Sequence, residues 1–196
     1  MFIYEKKLQY PVKIKNTNPR LASLIISQYG GALLRYLSQR YSMPYPELKA
    51  LLTDIGTEEL GHLEMIGAIV HQLTRDLTEE QIRTAGFDTY FVDRTAGVYP
   101  TAASGFPYSA ASMAVKGDLI ADLTEDLAAE QKARVTYDNI LRLSDDPDVN
   151  DAIKFLRARE IVHFQRFGEG LRMIQDDLDR SNFYMCNPEF DPGCGK

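Results

Sequence analysis

The chain has 196 residues, 44% of them hydrophobic and 26% charged, which is the ordinary size and composition of one globular domain with a substantial core. Its formal net charge of −6, without any basic run, argues against nucleic acid as the main partner. No apolar run reaches the roughly 20 residues that span a bilayer, and the N-terminal lysines precede no apolar signal segment. We therefore expect a cytoplasmic protein that does not cross a membrane.

In chain order, the predicted elements begin with an extended arm over residues 1–17, where apolar and polar residues alternate loosely. Four helices follow, each marked by apolar residues at helical spacing; they are predicted from Asn18-Pro19 to about Gln39, from Pro46 to about Arg75, from Lys116 to Leu143 and from Asp146-Pro147 to about Leu178. Residues 179–196 predict an irregular tail. It contains Cys186 and Cys194, for which unpaired thiols in a reducing compartment are favoured over a cross-link.

The connection between the second and third helices is long. Residues 77–115 are interrupted by glycines and prolines and show little periodicity, apart from a short helix predicted in TEEQIRTAG. The simplest purpose of such a connection is a crossover that joins two parallel helices of a bundle. The predicted fold is therefore all-α, a four-helix bundle with one long crossover, formed by residues 1–178 with the arm and followed by the tail of residues 179–196.

Two Glu-x-x-His motifs interrupt the apolar stripes of this bundle. Steps of three and four residues along the second helix place Glu59 and His62 in the middle of its stripe. The same steps place Glu160 and His163 in the stripe of the fourth helix, and Glu130 in that of the third. Three acids and two imidazoles are thus predicted to be buried at one level.

Such a buried cluster needs compensation. An unpaired buried carboxylate is costly, neighbouring carboxylates raise that cost, and no Lys or Arg shares the stripes. Two histidines cannot easily relieve three acids, whereas divalent cations can, because carboxylates bridge two metals and each imidazole completes one coordination shell. Oxygen ligands with imidazole suit manganese or iron. The residues therefore predict a dinuclear metal site.

The other polar residues near the motifs are not predicted to be metal ligands. His71 lies off the stripe, so it is expected to face solvent or to pack. Glu58 and Glu64 flank the stripe and are expected to be solvated or to lie just outside the ligands. A solvated face near the start of the third helix is predicted for Asp122, Glu125 and Asp126.

Several segments resemble a known protein family in their amino-acid sequence, and not only in their helical spacing. KLQYPVK, LLTDIGTEELGHLEMIG, KGDLIADLTEDLAAEQKAR and FLRAREIVHFQRF resemble the manganese catalases, and specifically the short forms found in bacterial spore coats, over nearly all of residues 1–178. The resemblance implies a ferritin-like bundle whose two manganese ions disproportionate hydrogen peroxide to water and dioxygen, usually in a hexamer. It also implies localisation in the cytoplasm or, after assembly, in the spore coat with other coat proteins.

The resemblance also implies roles for individual residues. Glu59, His62, Glu130 and His163 match metal ligands of the family. Glu160 matches a carboxylate beside the metals that acts as an acid and base. Tyr36 matches a tyrosine that supports the ligands through a hydrogen bond.

The first helix departs from the family pattern. A ligand Glu is expected shortly after the Gly-Gly pair, but the chain reads QYGGALLRYLSQ, as if a short segment with that Glu had been deleted. No acid lies between Pro19 and Gln39, so Gln28 or water would have to supply the missing oxygen. The departure predicts reduced or abolished activity.

Two alternative functions stay open at this level. One is a structural spore-coat protein with a degenerate metal site, which the missing Glu and the cysteine-bearing tail favour. The other is a di-iron oxidase or peroxidase on the same fold, because the ligands alone do not separate iron from manganese.

Overall fold

The computed structural model of the chain describes residues 32–84, 113 and 115–181. These residues form five helices and contain no strand: α1 (Ala32–Gln39), α2 (Pro46–Thr74), α3 (Glu79–Thr84), α4 (Leu119–Leu143) and α5 (Pro147–Ser181). None of these helices combines the length and the apolar character needed to cross a membrane. The predicted arm, the start of the first helix, most of the crossover and the tail with Cys186 and Cys194 lie outside the described residues.

Helix α5 begins where the sequence predicted, after the capping residue Asp146. The Oδ1 atom of Asp146 accepts hydrogen bonds from the backbone N–H groups of Asp148 and Val149, at 2.9 and 3.2 Å. These N–H groups have no partner within the helix, so a side-chain acceptor stabilises the helix end. Pro147 occupies the first helical position, where its missing N–H costs nothing.

The start of α4 is three residues later than predicted. Gly117 adopts a φ of 77°, which takes the backbone out of the helical region, so a helix cannot begin at Lys116. Asp118 then caps the helix by accepting the N–H of Ala121 at 2.8 Å, and Leu119 is the first helical residue.

Helices α1, α2, α4 and α5 pack as a four-helix bundle in which α1 contacts α2 and α4, and α5 contacts α2 and α4. Contacts from Tyr45 to Asp177 and from Asp54 to Arg166 show that α2 and α5 run antiparallel, because residue numbers rise along one helix as they fall along the other. The short loop between α4 and α5 makes that pair antiparallel as well. Helices α2 and α4 are therefore parallel, as the predicted crossover requires.

Two apolar clusters fill the core and leave a layer between them. One contains Ile66, Ile69, Val70, Leu73, Tyr137, Ile140, Val149, Ala152, Ile153 and Leu156. The other contains Tyr36, Met43, Leu48, Leu52, Ile55, Leu123, Phe167 and Ile174. Burial of each Leu or Ile side chain contributes about 1.5–3 kcal/mol, so the clusters can stabilise a bundle that also buries polar groups between them.

Candidate metal centre

Five polar side chains from three helices meet in the layer between the apolar clusters. Glu59 and His62 come from α2, Glu130 from α4, and Glu160 and His163 from α5. Four of the five are at most 4% exposed, and the side chain of Glu59 is 13% exposed. The three-residue spacing of each motif puts its Glu and His on the same face of the helix, and the bundle turns both faces inward.

The arrangement is nearly symmetrical about Glu59. Its Oε1 atom lies 3.1 Å from Nδ1 of His62 and 2.9 Å from Nδ1 of His163. A second acid then accompanies each imidazole: Glu160 Oε1 is 3.5 Å from His62 Nδ1, and Glu130 Oε2 is 3.4 Å from His163 Nδ1. The two rings are inclined by only 20°, with centroids 5.4 Å apart. One carboxylate is thus shared, with one imidazole and one further carboxylate on either side.

The ligand atoms of this cluster suit cations. Seven buried atoms of these side chains lack a hydrogen-bond partner among the described residues: Oε1 of Glu59, Nδ1 and Nε2 of His62, Oε2 of Glu130, Oε1 of Glu160, and Nδ1 and Nε2 of His163. Buried polar atoms are nearly always satisfied, and buried charges are normally paired or bound to metal. One ligand atom from each of Glu59, His62, Glu160 and His163 lies within 4.8 Å of all the others. The mixture of oxygen and imidazole nitrogen fits manganese or iron.

Without a cation, protons take the central positions. Burial raises the pKa of Glu160 to about 9; the nearby imidazole of His62 opposes this effect, and the charges of Glu59 and Glu130 add to it. Burial would lower the pKa of His163, but the surrounding acids outweigh it and raise that pKa to about 11. A cation that binds here must therefore displace protons from the cluster.

Tyr36 reaches this layer from α1. Its hydroxyl donates a hydrogen bond to Oε1 of Glu130, and its ring packs against Phe167 with centroids 4.9 Å apart. Burial and the charge of Glu130 raise the pKa of Tyr36 well above its usual value, so the phenol stays a donor. The family resemblance implied a hydrogen bond from Tyr36 to a metal ligand; the structure shows the bond to Glu130, and the ligand role of Glu130 stays a prediction.

Glu58 is the polar residue of the layer whose position the sequence left open. It is only 7% exposed, and Arg159 donates hydrogen bonds to its Oε1 and Oε2 at 2.5 and 3.1 Å. Burial would raise the pKa of Glu58, but the nearby imidazoles of His163 and His62 and the hydrogen bonds from Arg159 hold it well below its usual range. The sequence contained a feature that could have predicted this ion pair. Glu58 directly precedes one motif Glu and Arg159 directly precedes the other, so opposite charges occupy equivalent positions in the two motifs.

The solvated face predicted near the start of α4 is wrong for two of its three residues. Asp122 and Asp126 are 6% and 0% exposed, and only Glu125 is exposed. Asp122 accepts the N–H groups of Lys116 and Gly117, which closes the loop before the helix. Asp126 accepts a hydrogen bond from Nε2 of Gln39 on α1 at 2.9 Å. The two acids lie at four-residue steps before Glu130, so they share its buried face.

The remaining predictions concern surface positions and the first helix. His71 and Glu64 are exposed, in agreement with the solvated interpretation. The part of the first helix that the structure describes, Ala32–Gln39, contains no acid. Gln28, which was considered as a source of the missing ligand oxygen, lies outside the described residues.

Known proteins are similar to this chain in both sequence and fold. Residues 1–182 match the family of manganese containing catalase. A Bacillus subtilis protein named CotJC is 50% identical over 190 residues, which cover 94% of this chain and the whole of the relative. A "probable manganese catalase" of Clostridium acetobutylicum is 33% identical over 191 residues, 93% of this chain and 85% of that protein.

A solved structure supports the same assignment. The crystal structure of wild-type KatB, a manganese catalase from Anabaena, aligns with a TM-score of 0.76 at 32% identity, over 85% of this chain and 77% of that one. This chain therefore has the ferritin-like helical bundle fold that its sequence predicted. By its sequence and its fold, this chain belongs to the manganese-containing catalase family.

Proposed function

We propose that this protein disproportionates hydrogen peroxide to water and dioxygen at a dinuclear manganese centre, more slowly than relatives that carry a ligand acid on the first helix. The observation that carries the proposal is the position of Glu59 Oε1, which lies 3.1 and 2.9 Å from Nδ1 of His62 and His163, with another acid beside each imidazole. Glu59, His62, Glu130 and His163 would hold the metals.

The metals and the protein would contribute different parts of the reaction. When bound, a manganese pair supplies a two-electron couple, so that one peroxide can be reduced to two waters and a second oxidised to dioxygen. The balance is two peroxides to two waters and one dioxygen. Each half of the cycle also moves two protons, which the protein must accept and return.

Glu160 is the residue we assign to that proton transfer. It is 3% exposed, and without a cation burial raises its pKa to about 9; cations bound beside it would lower that pKa towards neutral pH. A group whose pKa lies near the working pH can both release and recover a proton. Tyr36 would position the carboxylate of Glu130, because its hydroxyl donates to Oε1 and leaves Oε2 directed towards His163.

The missing acid explains why we expect a lower rate. One negative ligand fewer weakens the attraction for one of the cations and changes its reduction potential, and a neutral amide or water replaces the carboxylate only in part. We also propose that the active form is an oligomer of this chain, which the family resemblance implies as a hexamer.

The test uses protein purified from manganese-supplemented cells. We expect bound manganese by elemental analysis and oxygen release at an electrode when peroxide is added, and Glu59→Gln should lose both. Glu64→Gln is the matched control, because Glu64 lies on the same helix but is exposed. Manganese without oxygen release would overturn the catalase proposal, and bound iron without oxygen release would favour a di-iron oxidase or peroxidase.

A structural role in the spore coat is the second candidate. The observation that favours it is the 50% identity to CotJC over the whole of that protein, together with the absent acid on the first helix. Metal would then stabilise the bundle, and the partners would be further copies and other coat proteins. Retention of the chain in the insoluble spore fraction, with no effect of its deletion on peroxide removal, would support this role over catalysis.

A further inference from the structure

Glu58 lies on the side of the two imidazoles that faces away from the ligand atoms. Its Oε1 is 3.7 Å from Nε2 of His62, and its Oε2 is 3.4 Å from Nε2 of His163. The Nδ1 atoms of both rings point the other way, towards the shared carboxylate of Glu59. A single carboxylate therefore spans two histidines that belong to different motifs and different helices.

Arg159 holds this carboxylate from outside. Its Nε and Nη2 donate to the two oxygens of Glu58, one bond to each, in the fork geometry that an Arg offers a carboxylate. The Arg159 side chain is 28% exposed and that of Glu58 is 8% exposed, so the pair extends from the surface into the core. The guanidinium also balances the charge of Glu58, which would otherwise be a further unpaired acid beside the cluster.

The contacts matter because of how an imidazole binds metal. A histidine that coordinates through Nδ1 must carry its proton on Nε2, and a carboxylate next to Nε2 favours that tautomer and fixes the plane of the ring. Removal of such a partner typically weakens metal binding by about 10–100-fold. Here the same acid would set the tautomer of both rings at once.

We propose that Glu58, anchored by Arg159, is a positioning residue of the metal centre that accepts the Nε2–H of both His62 and His163 and so presents both Nδ1 atoms to the metals. The proposal rests on the proposed metal centre, but not on its turnover. It couples the two metal positions, since loss of one carboxylate would disturb both imidazoles.

The first test measures manganese binding to the full chain by the electron paramagnetic resonance signal of free Mn²⁺. We expect Glu58→Ala to weaken binding of both ions by about 10–100-fold. Glu58→Gln should spare one ion, because an amide offers one acceptor and one donor and can support only one Nε2–H. Arg159→Lys should bind better than Arg159→Ala, since a lysine keeps the charge but not the fork.

The control is Asp54→Asn. Asp54 and Arg166 form an ion pair at 2.7 Å between the same two helices, but both side chains are more than 40% exposed and the pair does not reach the cluster. Its manganese affinity should stay within about twofold of wild type, as expected for an exposed pair. Wild-type affinity in Glu58→Ala would overturn the proposal. If that variant does not fold, the isosteric Gln variant makes the same comparison.

The second test reads the hydrogen bonds directly. The chain has three histidines, so protein labelled with ¹⁵N only in histidine and loaded with diamagnetic Zn²⁺ should show two exchange-protected Nε2–H signals, from His62 and His163, while the exposed His71 exchanges quickly. Glu58→Gln should move or remove at least one of them, and unchanged signals would overturn the proposal. Metal binding without oxygen release would overturn only the catalase function, whereas wild-type protein that binds no metal would overturn both.

Discussion

The hydroxyl of Tyr36 on α1 donates a hydrogen bond to the carboxylate of Glu130 on α4, and both residues are at most 1% exposed. This contact links the first helix to the candidate metal centre through a residue that is not itself a ligand. Since the described part of α1 contains no acid, the phenol is its contribution to the polar layer. Among the described residues, α1 therefore contacts a proposed ligand and does not itself supply one.

Tyr36→Phe should weaken both the fold and the metal centre. The change leaves Oε1 of Glu130 buried without a donor, which typically costs about 1–3 kcal/mol. We expect a lower midpoint of thermal unfolding and weaker manganese binding. Tyr41→Phe is the control, because Tyr41 is 78% exposed and its loss should change stability by less than about 0.5 kcal/mol. Equal unfolding midpoints for the two variants would contradict the role of the Tyr36 hydroxyl.

Glu160→Gln should separate proton transfer from metal binding. If Glu160 acts as the acid and base, the amide should lower the rate of oxygen release by about 10²–10⁴-fold while manganese content stays unchanged. Elemental analysis and an oxygen electrode measure the two quantities on the same sample. Loss of manganese in step with activity would instead make Glu160 a ligand of the metal beside His62, from whose Nδ1 it lies 3.5 Å away.

Restoring an acid to the first helix should raise turnover. Insertion of a short helical segment with one Glu after Gly31 would supply the carboxylate that the family pattern places there. We expect faster oxygen release and tighter manganese binding than in the wild type. The same insertion with Gln in place of Glu is the control, and equal rates for the two insertions would contradict our account of the missing ligand.

Asp126 should make stability depend on pH. Burial raises its pKa to about 8, although a hydrogen bond from Gln39 and the charge of Arg35 oppose this; an Asp in an unfolded chain titrates near 3.8. Since the folded state keeps its proton to higher pH, the unfolded chain is favoured progressively as pH rises from about 4 to about 8, by up to about 1.4 kcal/mol per pH unit.

Asp126→Asn should remove this dependence. Oδ2 of Asp126 and Oε1 of Gln39 both lack a partner among the described residues, and an amide at position 126 can donate a hydrogen bond where an ionised acid cannot. We expect the variant to unfold several degrees higher than the wild type at pH 7.5, but at a similar temperature at pH 4.5. Thermal unfolding followed by circular dichroism measures this, and parallel pH profiles would refute the assignment.

Two glycines of α2 should respond to alanine in opposite directions. A Cβ at Gly61 would meet nothing within 4 Å, so Gly61→Ala should stabilise the helix by about 0.5–1 kcal/mol through its intrinsic preference. A Cβ at Gly56 would lie 2.8 Å from Cγ and Cδ2 of Leu37 and 3.4 Å from its backbone N, so Gly56→Ala should push α1 and α2 apart. Comparison of the two unfolding midpoints checks the close approach, and a gain in both would argue against it.

The amino-acid sequence by itself determined the helices, the crossover and the burial of both Glu-x-x-His motifs. The spacing of apolar residues indicates which face of a single helix is buried, and a polar residue on that face is buried with it. The start of α5 at Asp146-Pro147 could also be predicted from the sequence, because capping depends only on residues within a few positions of each other.

The tertiary structure decided what depends on two helices at once. Asp126 is buried because α1 covers the side of α4 that Asp126 shares with Glu130. Glu58 meets Arg159 and both imidazoles because α2 and α5 pack in one particular register. Each bundle helix touches more than one neighbour, so the stripe of one helix cannot tell which of its flanking polar residues a second neighbour will cover. Register between helices arises from the packing of whole side-chain surfaces, and no short stretch of sequence contains it.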